Sequence, residues 1–378
     1  MGGGYLLRAL AGLYYQNEQL PDFHSQYGPA ATAFAAGLGY GGKPPGFILF
    51  LGALIKLSGQ NHYIYPAILV QSAVSLLLCY VLYKITISIF HSETAGRLAA
   101  GISAFYPWLI YYSTQLSLEH WFVFWVALSI YYSIRFDQKR DFLTAIQLGF
   151  ILGFTLWIRT VFLPYILLAA LFFLIRKIPF AKISAVILIV SCFIIGWGSY
   201  NYYRGGEWTF TGGNADHNLY IGLNSKNKTG GGIWGEDAPS FEEIEKLTAA
   251  LPPEKQKTWF KDEVKKFARE NPKQVLLLAA KKMYIFWRPY PRAPEYTNPL
   301  TIAIIFFSFM PLVLLSIYTL WIFRQDKNYI LLAYPILYIA QLNAIHLVFA
   351  GSLVYRFPIE PLLICLAAYG VNNLLDRA

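Results

Sequence analysis

Apolar residues gather into nine stretches, at about 62–83, 97–113, 118–135, 141–158, 161–175, 181–200, 299–323, 329–349 and 357–375. A helix rising 1.5 Å per residue needs about 20 residues to cross a hydrocarbon layer ~30 Å thick, so the longer stretches read as spans. The shorter ones read as spans paired by tight turns. Nothing in the sequence alternates with a period of two, and an unpaired amide in lipid costs several kcal/mol, so the spans are helices and not barrel strands. The predicted fold class is all-α: a polytopic membrane helix bundle of about nine to eleven transmembrane helices with one polar insert.

Short connections rich in Lys and Arg mark the cytoplasmic face, and they run from Lys84 to Arg97, Arg135 to Arg140, Arg176 to Lys182 and Arg324 to Lys327. They fall on every second connection, as a consistent topology requires. The connections near 114–117, 159–161, 201–298 and 350–356 then face outward, the long one being exempt from the charge rule. Two stretches resist this scheme. Residues 44–58 are apolar but short, and counting them as a span would move every later basic loop outside, so they read as an interfacial or re-entrant helix. Residues 5–16 are also too short to cross and carry Arg8, which suggests a further segment upstream.

Within the insert, Ser240 and Glu243 predict a capping box, Trp259, Phe260, Val264 and Phe267 form one apolar stripe that suits packing, and Asn271 with Pro272 predicts a helix running to Trp287. The stretch from Thr211 to Gly235, rich in Gly and Asn, reads as a shaped loop. The expected organisation is a membrane module at 1–200 with a first outer loop at 17–61, the extracytoplasmic insert at 201–298, and C-terminal membrane helices at 299–378.

Composition supports this. Of 378 residues 56% are hydrophobic and 14% charged, against about 25% charged in soluble domains, and a soluble fold would have nowhere to put that surface. The net charge of +10 would suggest nucleic acid in a soluble protein, but here it is an orientation signal, and no nucleic-acid partner is expected. Residues 201–298 hold 27 of the 52 charged residues, leaving the membrane body nearly uncharged. Cys79, Cys192 and Cys365 lie in apolar runs and imply no disulfide framework.

Five charges lie at the outer ends of spans, where the positive-inside rule does not explain them: Asp22 and Lys43 in the first outer loop, Glu119, Arg159 and Arg356. Charges near membrane depth are costly and mark sites or buried pairs. Plain structural roles stand beside the functional one. Glu119 and Arg159 can pair with each other, Arg356 can snorkel to a headgroup, and Asp22 can cap the helix that begins near Tyr27. In favour of a site is their convergence on one face with Tyr27, Tyr355, Trp121 and the aromatic segment from Tyr284 to Tyr290. Cations at an outer membrane surface suit a lipid phosphate or pyrophosphate, and a carboxylate beside them supplies a general base. Phosphate-loop and zinc-protease motifs are absent, the histidines form no spaced ligand set, and the sequon at Asn227 carries little weight.

Six short motifs, in order, resemble those of one family. Tyr27, Ala31, Phe34, Gly37, Gly39 and Tyr40 match a Y-x-x-x-A-x-x-L-x-x-G-x-G-[FY] run, with Phe34 at the Leu position, and Gly42-Lys43-Pro44-Pro45 follows it. Ser117-Leu118-Glu119 resembles an S-E at the start of a span. Trp197, Asn201 and Tyr202 resemble W-x-x-R-N-Y, and 218–224 resembles N-L-[WY]-x-G-N. Tyr355-Arg356-Phe357-Pro358-Ile359-Glu360-Pro361 is close to R-Y-R-[LF]-P-x-x-P. The chain thus resembles the bacterial type C glycosyltransferases that use polyprenyl-phosphate sugars, among them protein O-mannosyltransferases and the lipid A aminoarabinose transferase. It departs from them in three places. The Asp expected four residues before Tyr27 is Phe23, with Asp22 one position earlier, Tyr200 stands where Arg is usual, and Val354 stands where the first Arg of R-Y-R is usual.

The resemblance implies an active site at the outer face of the cytoplasmic membrane and a single inverting displacement of sugar from a polyprenyl-phosphate donor to an acceptor hydroxyl on lipid, glycan or protein. Asp22 and Glu119 are the implied catalytic pair, with Glu119 positioning acceptor, pairing Arg159 or helping to hold a divalent cation. The implied substrate-side residues are Lys43, Arg159, Tyr355, Arg356, Tyr27 and His24. Two dispersed carboxylates are too few to predict a metal. Two other classes fit less well: a lipid or polysaccharide flippase, for which internal repeats and midplane charges are missing, and an inactive relative acting in envelope assembly, which the shifted Asp keeps open.

Overall fold

The computed structural model describes residues 2–14, 22–39, 43–206, 208–211, 215–233, 236–291 and 298–377. Tyr40 and Gly42 of the first-loop motifs, and Gly235, lie outside them. In chain order the helices are α1 (Gly2–Tyr14), α2 (Gly28–Ala35), α3 (Pro45–Ser58), α4 (Ile64–Phe90), α5 (Glu93–Phe105), α6 (Pro107–Thr114), α7 (Leu118–Lys139), α8 (Phe142–Ile158), α9 (Leu163–Ile175), α10 (Phe180–Gly205), α11 (Ala215–Gly222), α12 (Phe241–Thr248), α13 (Pro253–Glu270), α14 (Pro272–Trp287), α15 (Pro299–Phe323), α16 (Ala333–Val348), α17 (Leu353–Arg356) and α18 (Glu360–Leu375). The fold is all-α. The described chain forms two compact units, one of residues 1–212, 303–337 and 357–378, the other of 213–302 and 338–356.

Among the described residues, five helical stretches are long and apolar enough to cross a membrane: Ile64–Phe90, Phe180–Gly205, Pro299–Phe323, Lys327–Val348 and Leu353–Leu375. In α10 and α15 the most apolar windows have mean hydropathy 2.2 and 2.5, yet only 22% of their residues are buried in the protein. Helices so apolar and so uncovered need lipid around them. The shorter apolar helices α3, α8 and α9 accompany them.

In the first unit, α4 packs on α5 and α7, α7 on α8, α8 on α10, and α18 lies across α5 and α4. The sequence suggests one span at 97–113, but the chain breaks there at Tyr106. Tyr106 precedes Pro107, and the proline ring bars its neighbour from the helical region, so Tyr106 is extended (φ −69°, ψ 121°) and a new helix starts at Pro107. The freed Tyr106 hydroxyl donates to Glu360 Oε2 at 2.7 Å, giving a buried carboxylate of α18 a partner.

Arg8, the charge that made 5–16 look unlike a span, is fully buried. Its guanidinium donates to Ser75 Oγ (2.8 Å) and to the carbonyls of Ala104 (2.7 Å), Ser103 (3.2 Å) and Gly4 (3.1 Å). Ala104 and Ser103 are among the last carbonyls of α5, which lack helical partners and favour a cation. At the end of α7, Asp137 is buried between Arg176 (2.7 Å) and Arg140 (3.3 Å). Part of the basic signal in these loops therefore ties helix ends together.

The second unit has its own core of Tyr220, Ile221, Ile244, Phe260, Val264, Phe267, Leu278 and Ala350, which absorbs the stripe of α13. The capping box forms, with Glu243 N donating to Ser240 Oγ (3.2 Å) and Ser240 N to Glu243 Oε2 (2.6 Å). α14 begins at Pro272 as expected, but Asn271 does not cap it through its side chain, and its amide donates back to Phe267 O at 3.3 Å. The Gly/Asn-rich loop is shaped by side-chain bonds. Asn227 Nδ2 donates to the carbonyls of Ile221 (2.8 Å) and Gly231 (3.1 Å) from a fully buried position, which leaves the sequon no accessible amide to carry a glycan.

Lys282 of α14 is fully buried, and its ammonium donates to the carbonyls of Leu347 and Val348 in the last turn of α16. Burial pushes its pKa down from 10.5 to about 8. Between those values the folded protein holds fewer protons at this site than the unfolded chain, so stability rises with pH across that window and is lost again as pH falls through about 8. The shift corresponds to at most about 3 kcal/mol. Thermal unfolding in detergent at pH 8 and pH 10 should show this slope, and Lys282→Met should remove it.

Candidate active site

The candidate residues of the first unit stand on four short pieces of chain. A single π-helical turn, Phe23–Tyr27, carries Asp22 at its start, His24 within it and Tyr27 at its end. Asp22 does not cap the turn with its side chain. Instead Gln26 Nε2 donates to Asp22 Oδ1 at 2.9 Å, and Lys43 Nζ donates to Gln26 Oε1 at 2.5 Å. A carboxylate and an ammonium, 21 positions apart in sequence, are thereby joined through one amide. Gln26 is a residue the sequence reading missed. Its signal was visible as a Gln four positions after an Asp, a spacing that places the two side chains on one helical face.

Lys43 Nζ lies 5.7 Å from the centre of the Tyr27 ring. Burial lowers the Lys43 pKa, and Asp22 opposes that shift. The Tyr27 phenol is pushed up to about 12, chiefly by burial, with Arg159 pulling it down and Glu119 and Asp22 pushing it further up. Tyr27 thus feels three of the expected charges. His24 is exposed beside Asp22, its ring edge-on to Phe23 at 5.4 Å.

Glu119 and Arg159 take up the pairing the sequence left open, with Arg159 Nη2 donating to Glu119 Oε1 at 2.7 Å. Both keep some exposure, 15% and 24% of their side chains, so the pair is reachable from solvent. Glu119 sits in the first turn of α7 and Arg159 follows the last residue of α8. The start of α7 is held by Gln71 of α4, whose amide donates to the carbonyls of Tyr112 (3.2 Å), Ser113 (3.0 Å) and Gln115 (2.5 Å) while accepting from Trp121 Nε1 (3.2 Å). Aromatic contacts then run from Trp121 to Phe50 (4.3 Å) and Phe47 (6.3 Å), and from Phe47 to Tyr27 (5.5 Å).

Gly46 lets α3 reach this place. A Cβ there would lie 2.6 Å from Ile158 Cδ1 and 3.0 Å from the carbonyl oxygen of Trp157, the two residues before Arg159. Backbone cannot give way as a side chain can. Gly46→Val should therefore destabilise the protein by about 1–3 kcal/mol, seen as a lower melting midpoint in detergent. Gly101→Ala in α5, where nothing lies within 4 Å, should leave the midpoint unchanged or raise it. Equal midpoints for wild type and Gly46→Val would refute this account of the contact.

Tyr355 and Arg356 belong to the second unit. Tyr355 stacks on His346 (4.7 Å, 14° between planes), and His346 stacks on Phe286 (5.4 Å). The sequence suggests Arg356 as a surface cation at a lipid head, but its side chain is fully buried, and Nη1 donates to the carbonyls of Phe286 (3.0 Å) and Arg288 (2.8 Å). These carbonyls lie at the end of α14, where the helix leaves its last acceptors without partners. Of the aromatic segment, Tyr284 and Tyr290 bond through their hydroxyls, and Trp287 Nε1 donates to Asn343 Oδ1 at 2.7 Å. Among the described residues no group of three His, Cys, Asp or Glu is placed to hold a metal ion.

Residues 42–197 match the family model described as dolichyl-phosphate-mannose-protein mannosyltransferase. Over that stretch the chain is similar to this family. The match takes in Lys43, Glu119 and Arg159 and stops before the second unit. No curated protein matches the chain. Among solved structures the chain is similar to the archaeal oligosaccharyltransferase AglB from Archaeoglobus fulgidus in complex with an inhibitory peptide and a dolichol-phosphate, with 13% identity and a TM-score of 0.46. That alignment covers 99% of this chain and 46% of AglB, so this chain spans about half of that protein's length.

Proposed function

We propose that the protein is a membrane glycosyltransferase that moves a sugar from a polyprenyl-phosphate donor to an acceptor hydroxyl on the outer face of the cytoplasmic membrane. The observation that carries this reading is the Asp22–Gln26–Lys43 chain beside Tyr27, with a carboxylate and an ammonium held a single amide apart. The family matched by residues 42–197 adds a lipid-phosphate-linked sugar as the donor class. In the proposed step Asp22 takes the proton of the acceptor hydroxyl, the oxygen forms a bond to the anomeric carbon, and the bond from that carbon to the phosphate oxygen breaks with inversion. The phosphate leaves with its electron pair, and Lys43 and Arg159 hold the growing negative charge. Glu119 keeps Arg159 aimed, while Tyr27 and His24 flank the substrate. In the second unit, Arg356 holds the carbonyls of Phe286 and Arg288 and Tyr355 stacks on His346, so their role is to hold that unit's fold. The acceptor, lipid, glycan or protein, is the open partner.

The test is direct. Purified full chain, given a panel of polyprenyl-phosphate hexoses and pentoses with candidate acceptors, should release polyprenyl phosphate and yield glycosylated product of inverted configuration. Lys43→Ala should lower turnover by about a hundredfold or more, the scale of losing one preorganised partner of the leaving charge. Lipid movement across vesicles without donor turnover would favour a flippase instead, and neither activity would favour an assembly partner.

A further inference from the structure

A second cluster of cations lies in the second unit, apart from the residues assigned above. A cleft of about 350 Å³ opens along α14, lined by Lys273, Gln274, Leu277, Leu278 and Lys281 and, from the shaped loop, by Asn227 and Lys228. On the helix these positions fall at i, i+1, i+4, i+5 and i+8, one continuous face, so Lys273 and Lys281 stand about 12 Å apart along the axis with two leucines between them. Lys281 Nζ donates to Lys228 O at 2.8 Å, which closes one wall and leaves its other two N–H donors unspent. Three lysines therefore line one cleft whose lining holds no carboxylate, and none of the three makes an ion pair among the described residues. Other lysines of the unit do pair: Lys226 with Glu243 and Lys246 with Glu242. Like charges gathered around a concave surface repel one another and raise the local concentration of anions.

We propose that this cleft is a binding site for a small phosphorylated group, either the headgroup of an anionic phospholipid or a soluble sugar or polyol phosphate. Lysines bind phosphate as compact point charges. Leu278 is buried and Leu277 is 54% exposed, so the floor offers an apolar face to the carbon skeleton that bears the phosphate. The volume lies at the low end of small-molecule sites, which suits one headgroup or one phosphorylated sugar and excludes an extended glycan.

The full chain in neutral detergent, titrated calorimetrically with glycerol phosphate, tests the soluble source. Native mass spectrometry of the chain released from mixed phosphatidylcholine–phosphatidylglycerol nanodiscs tests the lipid source by counting retained phosphatidylglycerol. In whichever arm the wild type binds, Lys273→Gln with Lys281→Gln should weaken binding about tenfold or more, and Lys273→Arg with Lys281→Arg should keep it. Both pairs of changes are on a solvated helical face, and unchanged melting confirms that the fold survives. Binding of glycerol phosphate assigns a soluble ligand, and retention of phosphatidylglycerol alone assigns a headgroup. The proposal is overturned if the wild type binds neither probe, or if the Gln pair binds, as tightly as the wild type, whichever probe the wild type binds. No sugar transfer enters these readouts, so the site stands or falls apart from the proposed reaction.

Discussion

Asp22→Asn should lower sugar transfer by a factor of about 10²–10⁴, the usual contribution of a positioned general base, while melting stays within about 0.5 kcal/mol of wild type because Asp22 is exposed. The asparagine keeps the shape and still accepts a hydrogen bond from Gln26, so a loss of rate isolates the proton-accepting function. The loss should appear in kcat/KM for the acceptor and kcat alike, since the proton moves only on the way to the transition state. Gln26→Leu makes the complementary change, leaving Asp22 and Lys43 in place and removing both bonds that join them. Its expected loss is smaller, about tenfold, from a base and a phosphate ligand no longer held in one geometry. Transfer unaffected by Asp22→Asn would move the base elsewhere, and the one-position offset of Asp22 from the family pattern makes that outcome informative.

The parts of this protein legible in its sequence are those set by the solvent around each helix. Lipid demands a long apolar run with its backbone bonded internally, so α7, α8, α10 and α15 lie within a few residues of the stretches that hydropathy marks. Local rules carried further detail where one bond decides, as in the Ser240–Glu243 box. They failed where a nearby group outbid them. Asn271 has the right place for a cap, but its amide turns to Phe267 O, and Pro107 breaks a run whose apolarity alone suggests one helix.

The candidate site was legible as an inventory of costly charges but not as a set of contacts. Arg8, Asp137 and Glu360 are buried, and each has a partner remote in sequence: the carbonyl of Ala104, Arg176 and the Tyr106 hydroxyl. No spacing rule announces such partners. Lys43 and Asp22 remain half-buried and exposed, joined by a neutral side chain that a search for charges passes over. Exposure thus sorts the unexplained charges in two: those whose donors are spent within the fold, and those still able to meet a ligand.

Arg356 is the sharpest case of that division, and its substitution should have the largest effect on stability. Its guanidinium donates to two carbonyls near the end of α14, those of Phe286 and Arg288. Arg356→Met keeps the length and removes the donors, leaving buried acceptors bare at about 1–3 kcal/mol each, so a loss of about 2–5 kcal/mol is expected in thermal or denaturant unfolding. Arg356→Lys should fall between, because one compact ammonium cannot reproduce a planar fork across two acceptors. If Arg356 only positions, transfer by the Met variant should fall with the folded fraction and recover when a lower temperature restores that fraction. Lys43→Ala should behave oppositely, melting like wild type with its turnover lost at every temperature. A Met variant that melts like wild type would refute this structural role of Arg356.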